Sequence, residues 1–417
     1  MQAGETGYET WRLASLGGIA LLLMLPVTLP VPVLRELVQE RFNVSELLTS
    51  LFMSINMIGA LFAAPLAGAL GDRFARRPDF IVGALVADAL CFVGLSAELP
   101  FGAFLAIRFV EGCAHIFALS LLLGLASSCR PLRQRGSAMG IAGGGMMLGV
   151  AVGAPIGGLL GQHDPLRTLY AGAAILAVCA VLARWLLKET LSPHALRPGL
   201  RDLAALVRSN ALVLAPLAFA FADRFTVGFF TTTFSLYLKR IHDLDSATVG
   251  LLIASFMLPF ALLSYPSGRL SQRTSRAALL CGGSLVYGVA VASVTWWSPA
   301  ALFAVMAFTG ATAALMFVPS MLMTTELTPE SARTASLGAF NAAGSLGFIV
   351  GPLTGGWVSQ SVGASFGWLE GYRAAFLLAG LSEVLLALVA FPLLRRWERR
   401  APAAGDLSPP RAEAPDP

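Results

Sequence analysis

The sequence predicts an all-α polytopic membrane protein in which twelve transmembrane helices form two parallel six-helix repeats. Three observations support this fold class. Of the 417 residues, 56% are hydrophobic and only 13% are charged, about half the charged fraction of an ordinary soluble domain. Twelve apolar runs are long enough to cross a bilayer, and the two halves of the chain repeat the same glycines and arginines at a nearly constant offset.

The composition and the short motifs exclude several other classes of protein. The chain is too apolar to be disordered, and a membrane β-barrel would show alternating segments of about ten residues instead of long apolar runs. The five cysteines have no metal-binding spacing, and no phosphate-binding loop, nucleophile elbow or paired-acid site is evident. We therefore expect no enzyme activity, no cofactor and no metal. The net charge is +5, and the arginines lie in short clusters between apolar runs. Such clusters are typical of cytoplasmic loops of membrane proteins, so we expect no nucleic-acid partner.

A helix needs about 20 apolar residues to cross a bilayer, because its backbone groups must be satisfied within the segment. Spans 1 to 12 are predicted at Leu13–Leu34, Leu47–Leu70, Phe80–Ala97, Phe101–Ser128, Ser137–Leu160, Leu169–Leu187, Ala211–Leu238, Ala247–Leu270, Ala277–Val294, Ala300–Thr325, Thr334–Gln360 and Ala374–Leu394. They form an N-terminal six-helix bundle, residues 13–188, and a C-terminal six-helix bundle, residues 211–395. The remaining segments are a cytoplasmic N-terminus (1–12), a cytoplasmic linker (189–210) and a disordered cytoplasmic tail (396–417).

Lysine and arginine are unevenly distributed between the alternate connections. The connections on the side of the two termini contain 21 of these residues, and those on the other side contain 6. Because positively charged loops stay in the cytoplasm, both termini are predicted to be cytoplasmic in a multi-pass protein of the cell inner membrane. The two other cationic side chains, Arg108 and Arg224, fall inside predicted spans.

An internal repeat relates the two halves of the chain. The matched residues are Arg135, Gly140, Gly149, Gly153, Gly157 and Gly158 in span 5 and Arg333, Gly338, Gly347, Gly351, Gly355 and Gly356 in span 11, each pair separated by 198 residues. The loop that follows span 2 also has a counterpart, 200 residues later, after span 8. Since each half has an even number of spans, both halves have the same membrane orientation, which predicts parallel repeats about an axis along the membrane normal.

Three motifs connect the chain with a known family. They are the loop Gly68-Ala-Leu70-Gly-Asp72-Arg73-Phe-Ala-Arg76-Arg77, the run Arg108-Phe-Val-Glu111-Gly112 in span 4, and the glycine stripes of spans 5 and 11 with Pro155 and Pro352. Ala75 replaces an expected glycine in the first motif, and Glu111 stands where glutamine is commoner in the second. On these motifs the chain resembles the major facilitator superfamily over residues 12–395, and specifically its drug:proton antiporter branch.

The resemblance implies the major facilitator fold, in which the first, fourth, seventh and tenth helices line a central cavity. It also implies a secondary active transporter that exports a small hydrophobic or amphipathic organic solute by proton antiport with alternating access. Proton-coupled uptake or sugar-type efflux is the alternative within transport, and a membrane sensor is the alternative of another class. The expected partners are the small-molecule substrate, a proton (with sodium as the alternative ion) and the lipid bilayer, and we expect a monomer.

Two of the motifs are predicted to act at gates. Glycine stripes let helix backbones approach closely in lipid, and Pro155 and Pro352 bend their helices. A tight contact between helices of opposite halves would then form a seal, with plain helix packing as the alternative. In the loop Gly68–Arg77, the resemblance favours a cytoplasmic latch formed by Asp72 and Arg73, with a solvated basic turn as the alternative.

Ionisable groups inside spans give the most specific functional prediction, because inserting each one costs about 2.5–3.5 kcal/mol. Arg108, Glu111 and His115 fall on one face of span 4, whereas Asp223 and Arg224 lie near the middle of span 7. We predict that Asp223, Glu111 or both carry the coupling proton, with a neighbouring arginine that adjusts the proton affinity of each. A static Arg108–Glu111 ion pair is the alternative for span 4, and His115 is either a proton relay or a packing residue.

Two other acids and a group of prolines complete the predictions. Asp88 in span 3 and Glu383 in span 12 fall on helices that the resembled fold places at the periphery, so we expect them to be structural or oligomeric. Pro26, Pro30 and Pro32 are predicted to break span 1 near its outer end.

Overall fold

The computed structural model describes residues 2–74, 76–127, 135–188, 208, 210–329 and 333–400. Within these residues, twelve helices are long and apolar enough to cross a membrane, which confirms the predicted number. Spans 1 to 6 consist of the helices Gln2–Thr28, Glu46–Phe74, Arg77–Ser96, Phe101–Ser127, Arg135–Leu160 and Leu166–Leu186. Spans 7 to 12 consist of Leu214–Thr231 with Thr233–His242, then Ser246–Ser271, Arg276–Ser293, Pro299–Glu326, Arg333–Phe366 and Trp368–Arg400. Short 3₁₀ turns occupy Val31–Val33, Ala211–Val213 and Val294–Trp296, and a π-helix occupies Arg35–Glu40.

Caps and prolines explain where several spans begin and end. Asp245, Ser275 and Ser298 precede spans 8, 9 and 10, and each side-chain oxygen accepts a hydrogen bond from the backbone N–H three residues further on. The helix of span 1 contains Pro26 and ends at Thr28. A 3₁₀ turn follows this end, which confirms the break predicted from the prolines of this span.

Span 7 is a discontinuous helix. Its first segment ends at Thr231, and a second segment begins at Thr233 after Thr232, whose backbone (φ −133°, ψ −75°) is not helical. The hydroxyls of Thr231 and Thr232 donate hydrogen bonds to the carbonyl oxygen of Gly228 at 3.0 and 2.9 Å. These side chains therefore help to satisfy a backbone carbonyl at the break, as breaks within a membrane require.

The packing of the spans repeats between the two halves. In the N-terminal half, span 1 packs on span 5, span 2 on span 4 and span 3 on span 6. In the C-terminal half, span 7 packs on span 11, span 8 on span 10 and span 9 on span 12. The two halves meet through two equivalent pairs, span 5 with span 8 and span 2 with span 11. This correspondence confirms the predicted arrangement of two parallel six-helix repeats.

The two ends of the molecule differ in how tightly the halves are joined. We call the end that holds residues 29–46, 160–166, 238–246 and 363–372 the distal end, and the opposite end, where the first and last described helices begin and end at Gln2 and Arg400, the terminal end. In span 8, residues 246–257 are mostly buried, whereas residues 258–270, nearer the terminal end, are mostly exposed or half-buried. The halves therefore pack together at the distal end and separate toward the terminal end.

The predicted bundle boundaries can be compared with the structure only in part. The helix of span 12 continues to Arg400, past the predicted boundary at 395. Most of the predicted linker (189–210) and the predicted tail from residue 401 lie outside the described residues.

Candidate functional site

The glycine stripes of spans 5 and 11 pack mainly inside their own halves. A Cβ added to Gly149 or Gly157 would collide with the backbone of span 1, and one added to Gly351 would collide with the backbone of Phe225 in span 7. A groove of regularly spaced glycines fits one neighbouring helix along much of its length, and here that neighbour belongs to the same half. The expectation that these stripes seal opposite halves is therefore wrong for most of their length, and the alternative of helix packing holds there.

The last glycine of each stripe does contact the opposite half. A Cβ on Gly158 of span 5 would collide with the backbone of Ser246 in span 8, and one on Gly356 of span 11 would meet Ser50 and Glu46 in span 2. The two contacts are related by the internal repeat, and both lie at the distal end. Among the glycines of the two stripes, these two contact the opposite half, and the backbone of Ala154 and Pro155 in span 5 also meets Gly250 of span 8.

A buried carboxylate, Glu46, joins the two halves at the distal end. Its side chain is fully buried at the start of span 2. It accepts hydrogen bonds from the hydroxyls of Tyr372 and Ser359, the latter at 2.9 Å, and its Oε1 lies 3.1 Å from Arg240 Nε. All three partners belong to the C-terminal half. The Arg240 guanidinium carbon also lies 3.8 Å from the centre of the Trp368 ring, so the cation is held from two sides.

Two further polar contacts also join the two halves at the distal end. The Lys239 ammonium forms an ion pair with Glu36, and Gln162 Nε2 donates a hydrogen bond of 2.7 Å to Asp245 Oδ2. Hydrogen bonding from Thr248, followed by that from Gln162, holds the pKa of Asp245 below its usual range, so this acceptor stays ionised in mildly acidic solution. We call the contacts of Glu46, Lys239–Glu36 and Gln162–Asp245 the distal latch. Polar groups of this kind can replace such contacts with hydrogen bonds to water, which permits reversible opening of the distal end.

We expect Glu46→Gln to shift the molecule toward states that are open at the distal end. The substitution removes the negative charge that faces Arg240 and leaves that cation without its buried partner. Breaking a fully buried pair costs about 3–5 kcal/mol, and the cost is smaller here because the Arg240 side chain is 23% exposed. Pulsed electron paramagnetic resonance would measure the distance between spin labels at His163 and Glu370, which are exposed on opposite halves, in a cysteine-free background. The longer-distance population should grow at least about tenfold, which corresponds to about 1.4 kcal/mol.

Glu40→Gln provides the matched control for this prediction. Glu40 is an exposed acid of the distal end, and it pairs with Arg35 of its own half at 3.0 Å. Its neutralisation should leave the distance distribution unchanged. Equal distributions for the Glu46 and Glu40 variants would show that Glu46 does not hold the halves together.

In the N-terminal half, Arg108 and Glu111 form a buried ion pair. Arg108 Nη1 lies 2.8 Å from Glu111 Oε2, and the two side chains are 1% and 2% exposed. The Asn56 amide of span 2 donates a second hydrogen bond to Glu111, and the Arg108 guanidinium carbon lies 4.4 Å from the centre of the Phe52 ring. The pair described as the alternative for span 4 is therefore present in this conformation, and span 2 supplies its surroundings.

Asp88 extends this arrangement to span 3. His115 Nδ1 lies 2.9 Å from Asp88 Oδ2, and Asp88 is fully buried. The structure thus brings Arg108, Glu111 and His115 to one face of span 4, as predicted, but that face is turned toward spans 2 and 3 inside the N-terminal half. The expectation that it lines the cavity is not met in this conformation. We call Asp88, Arg108, Glu111 and His115 the N-half cluster.

The N-half cluster contains the residue types of a metal site, but its geometry favours a proton. Ligand atoms of Asp88, Glu111 and His115 lie within 4.8 Å of one another. Glu111 already binds the Arg108 guanidinium, and His115 Nδ1 is engaged by Asp88. A metal cation would also lie beside the fixed positive charge of Arg108, which opposes its binding, whereas a proton can be added while both contacts are kept.

In the C-terminal half, Asp223 and Arg224 form an ion pair within span 7. Asp223 Oδ2 lies 2.6 Å from Arg224 Nη1, and the side chains are 6% and 23% exposed. The Arg224 guanidinium carbon lies 4.7 Å from the centre of the Phe317 ring in span 10, and its side chain also packs on Gly347 of span 11. The pair therefore sits where spans 7, 10 and 11 meet, with the arginine as its more accessible member.

Other polar groups extend from this pair through the C-terminal half. The hydroxyls of Thr226 and Tyr287 are 2.9 Å apart, and Ser284 donates a hydrogen bond to Glu383. Glu383 and Asp88 are both fully buried within a single chain. An oligomeric role for these two acids is therefore wrong, because neither side chain can reach a second copy, whereas a structural role is compatible with their contacts.

The predicted cytoplasmic latch lies largely outside the described residues. Gly68, Asp72 and Arg73 belong to the helix Glu46–Phe74, but their side-chain environments are not among those described. Arg76 is exposed, and Arg77 is the first residue of the helix of span 3. The latch hypothesis thus stays a prediction.

Comparison with known proteins places these sites in a family context. A family profile described as the Major Facilitator Superfamily matches residues 16–237 and again residues 217–415. The multidrug resistance protein MdtG of Salmonella choleraesuis (strain SC-B67) is 26% identical to this chain over 399 residues, which cover 93% of this chain and 95% of that protein.

Solved structures agree with the fold. A bacterial homologue of the human lysosomal transporter Spinster, in an inward-facing and unoccupied conformation, superposes with a TM-score of 0.80 at 15% identity, covering 95% of this chain and 99% of that one. A D-xylose-proton symporter superposes with a TM-score of 0.72 at 17% identity, covering 91% and 96% of the two chains. At these identities, the likeness concerns the fold alone.

Proposed function

The protein belongs to the Major Facilitator Superfamily, and we propose that it exports a small hydrophobic or amphipathic organic solute in exchange for protons. The observation that carries this proposal is the difference between its two ends. The halves are joined by the distal latch and separate toward the terminal end, with the ionisable side chains of the spans between these ends. A molecule built in this way can expose an interior site to one side of a membrane at a time.

The contacts between halves are suited to reversal. At the distal end they include the close approaches at Gly158, Gly250 and Gly356, the contacts of the distal latch and a hydrogen bond from Arg35 to the carbonyl oxygen of Lys239. At the terminal end, nothing described lies within 4 Å of a Cβ added to Gly140 or Gly338. Rocking of the halves would break the distal latch and bring together the helix faces around Gly140 in span 5 and Gly338 in span 11. The two end states can then exchange without unfolding either bundle.

The Asp223–Arg224 pair supports coupling to protons. A proton on Asp223 would neutralise the carboxylate and release the Arg224 guanidinium, which is partly accessible and lies over the Phe317 ring. Loss of the proton would restore the ion pair. Because the charge and position of Arg224 change with this step, a solute that binds near the aromatic surface would favour one protonation state over the other. Antiport follows if the solute binds preferentially when Asp223 is deprotonated, so that solute and proton do not bind together.

The charge distribution in the sequence supports a membrane orientation. We propose that the terminal end faces the cytoplasm and that the distal end faces outward across the cell inner membrane. The protein would act as a monomer, since each chain contains both halves of the transport unit. The likeness to MdtG, a multidrug resistance protein, supports efflux of an organic solute as the direction and class of transport.

The test begins with a thermal-shift screen of purified protein against a chemically diverse library. Compounds that stabilise the protein would then be assayed for flux in proteoliposomes with an imposed pH gradient. We expect solute to move against the direction of proton flow, with dissipation of the gradient when solute is added. Movement of both in the same direction would indicate uptake by symport. Binding without flux would indicate a sensor and would overturn the proposal.

A further inference from the structure

The N-half cluster has an unbalanced charge. Asp88 and Glu111 are carboxylates, whereas Arg108 supplies one fixed positive charge, so the group carries a net charge of −1 when His115 is neutral. Every member is at least 91% buried as a side chain. An uncompensated charge in such a site costs several kcal/mol, and in practice a buried group changes its protonation state instead. One additional proton makes the cluster neutral.

The contacts indicate where that proton resides. Glu111 already accepts hydrogen bonds from Arg108 and Asn56, so its charge is compensated. Asp88 receives its contact from His115 Nδ1 at 2.9 Å. Because a charged donor beside a carboxylate makes a stronger hydrogen bond than a neutral one, the extra proton is most stable on the His115 ring.

Three atoms at the cluster offer unused hydrogen-bonding capacity. Within the described part of the chain, Asp88 Oδ1, Arg108 Nε and His115 Nε2 are buried and have no hydrogen-bond partner. Buried polar atoms are ordinarily paired, and exceptions call for a specific explanation. Here one unpaired atom belongs to the His115 ring, which would carry the proton, and the other two belong to Asp88 and Arg108. His115 Nε2 can therefore carry the additional proton while Nδ1 keeps its contact with Asp88.

We propose that Asp88 and His115 form a second proton-binding site, which holds one exchangeable proton between spans 3 and 4 while Arg108 compensates Glu111. The site makes Asp88 a member of the coupling machinery and places the proton of this half on His115 rather than on Glu111. Its part in transport rests on the proposed function, whereas the protonation itself does not. Among the residues that the structure describes, the other titratable groups near Asp88 and Glu111 are the thiols of Cys91 and Cys113 and, on span 6, Cys179.

The charge state of His115 can be measured without a transported solute. Protein labelled with ¹⁵N-histidine would be examined in lipid nanodiscs by solid-state NMR at about pH 7.5, where an unperturbed histidine ring is about one-tenth protonated. The sequence contains four histidines, and the spectrum of His115→Gln assigns the signal. We expect both ring nitrogens of His115 to be protonated in the native protein. We expect the ring to be mainly neutral in Asp88→Asn and charged again in Asp88→Glu.

A matched control and an ion test make the result specific. His242 bonds to the Tyr237 hydroxyl at 2.9 Å and faces no carboxylate in that contact, so Asp88→Asn should leave its signals unchanged. A neutral His115 ring in the native protein would overturn the proposal. A ring that loses its proton when choline chloride is replaced by sodium chloride would also overturn it, in favour of a sodium site.

Failure of this inference can be separated from failure of the proposed function. A neutral His115 ring together with proton-driven flux in proteoliposomes would refute the second proton site and leave antiport intact. A charged ring that depends on Asp88, in a protein without proton-driven flux, would support the site and refute antiport. The conservative Asp88→Glu variant guards against misfolding, since recovery of the charged ring requires an intact cluster.

Discussion

Asp223→Asn should abolish proton-driven transport while the protein stays folded and still binds its solute. Asparagine has nearly the shape of aspartate and can still accept a hydrogen bond from Arg224, but it cannot take up a proton. We expect proton-driven flux in proteoliposomes to fall by at least about 100-fold, the usual scale for loss of an essential proton-transfer group. Exchange of labelled for unlabelled solute in the absence of a pH gradient should persist, because exchange requires no net proton movement.

Glu370→Gln is the matched control for the Asp223 variant. Glu370 is an exposed acid of the distal end that pairs with Arg373 in its own helix, so its neutralisation should leave proton-driven flux unchanged. Undiminished proton-driven flux in Asp223→Asn would remove Asp223 from the coupling mechanism. Loss of both driven flux and exchange would instead assign Asp223 to solute binding or to folding, which a thermal-stability measurement distinguishes.

Gly157→Ala should strongly destabilise the N-terminal half. A Cβ at this position would lie well inside 3.0 Å of the Leu29 backbone, and a backbone cannot turn aside as a flexible side chain can. Spans 1 and 5 would have to move apart, at a cost of about 1–3 kcal/mol, typical of overpacking. Gly351→Ala in span 11 should have the same effect, because its Cβ would collide with the backbone of Phe225. The midpoint of thermal unfolding in detergent measures both.

Gly140→Ala and Gly338→Ala are the controls, since they lie in the same two helices and nothing described is within 4 Å of a Cβ added there. Alanine favours a helix over glycine by about 1 kcal/mol. The control variants should therefore unfold at the same temperature as the native protein or slightly above it. If all four alanine variants behaved alike, close backbone packing would not be the reason for the glycines.

The spans and the repeat could be predicted from the sequence because both are local or periodic properties. A bilayer requires long apolar helices, so hydropathy alone locates the twelve spans, although the helices of spans 1, 11 and 12 extend beyond the predicted bounds. The offset between the glycines of spans 5 and 11 reveals the repeat without any knowledge of contacts. The acids and arginines inside spans are also visible, since polar groups in apolar runs are rare and costly. Asp88 and His115 are both visible in the same way, whereas their pairing is not.

Glu46 was not identified because its position in the sequence resembles that of an ordinary loop residue. It precedes the predicted start of span 2, where acids are common and usually solvated. Its burial depends on Tyr372, Ser359 and Arg240, which come from the other half of the chain and are joined to it only by tertiary packing.

The amino-acid sequence by itself determined the number of spans, the parallel repeat and the residue types that can carry charge within the membrane. These follow from the free energy of placing each side chain in lipid, which depends on the residue and its near neighbours. Only the tertiary structure decided which helix each glycine stripe contacts, that the ionisable face of span 4 is turned toward spans 2 and 3, and that Glu46 joins the halves. Such pairings depend on the relative rotation and position of distant helices. Many weak contacts together determine these, and no local sequence pattern reveals them.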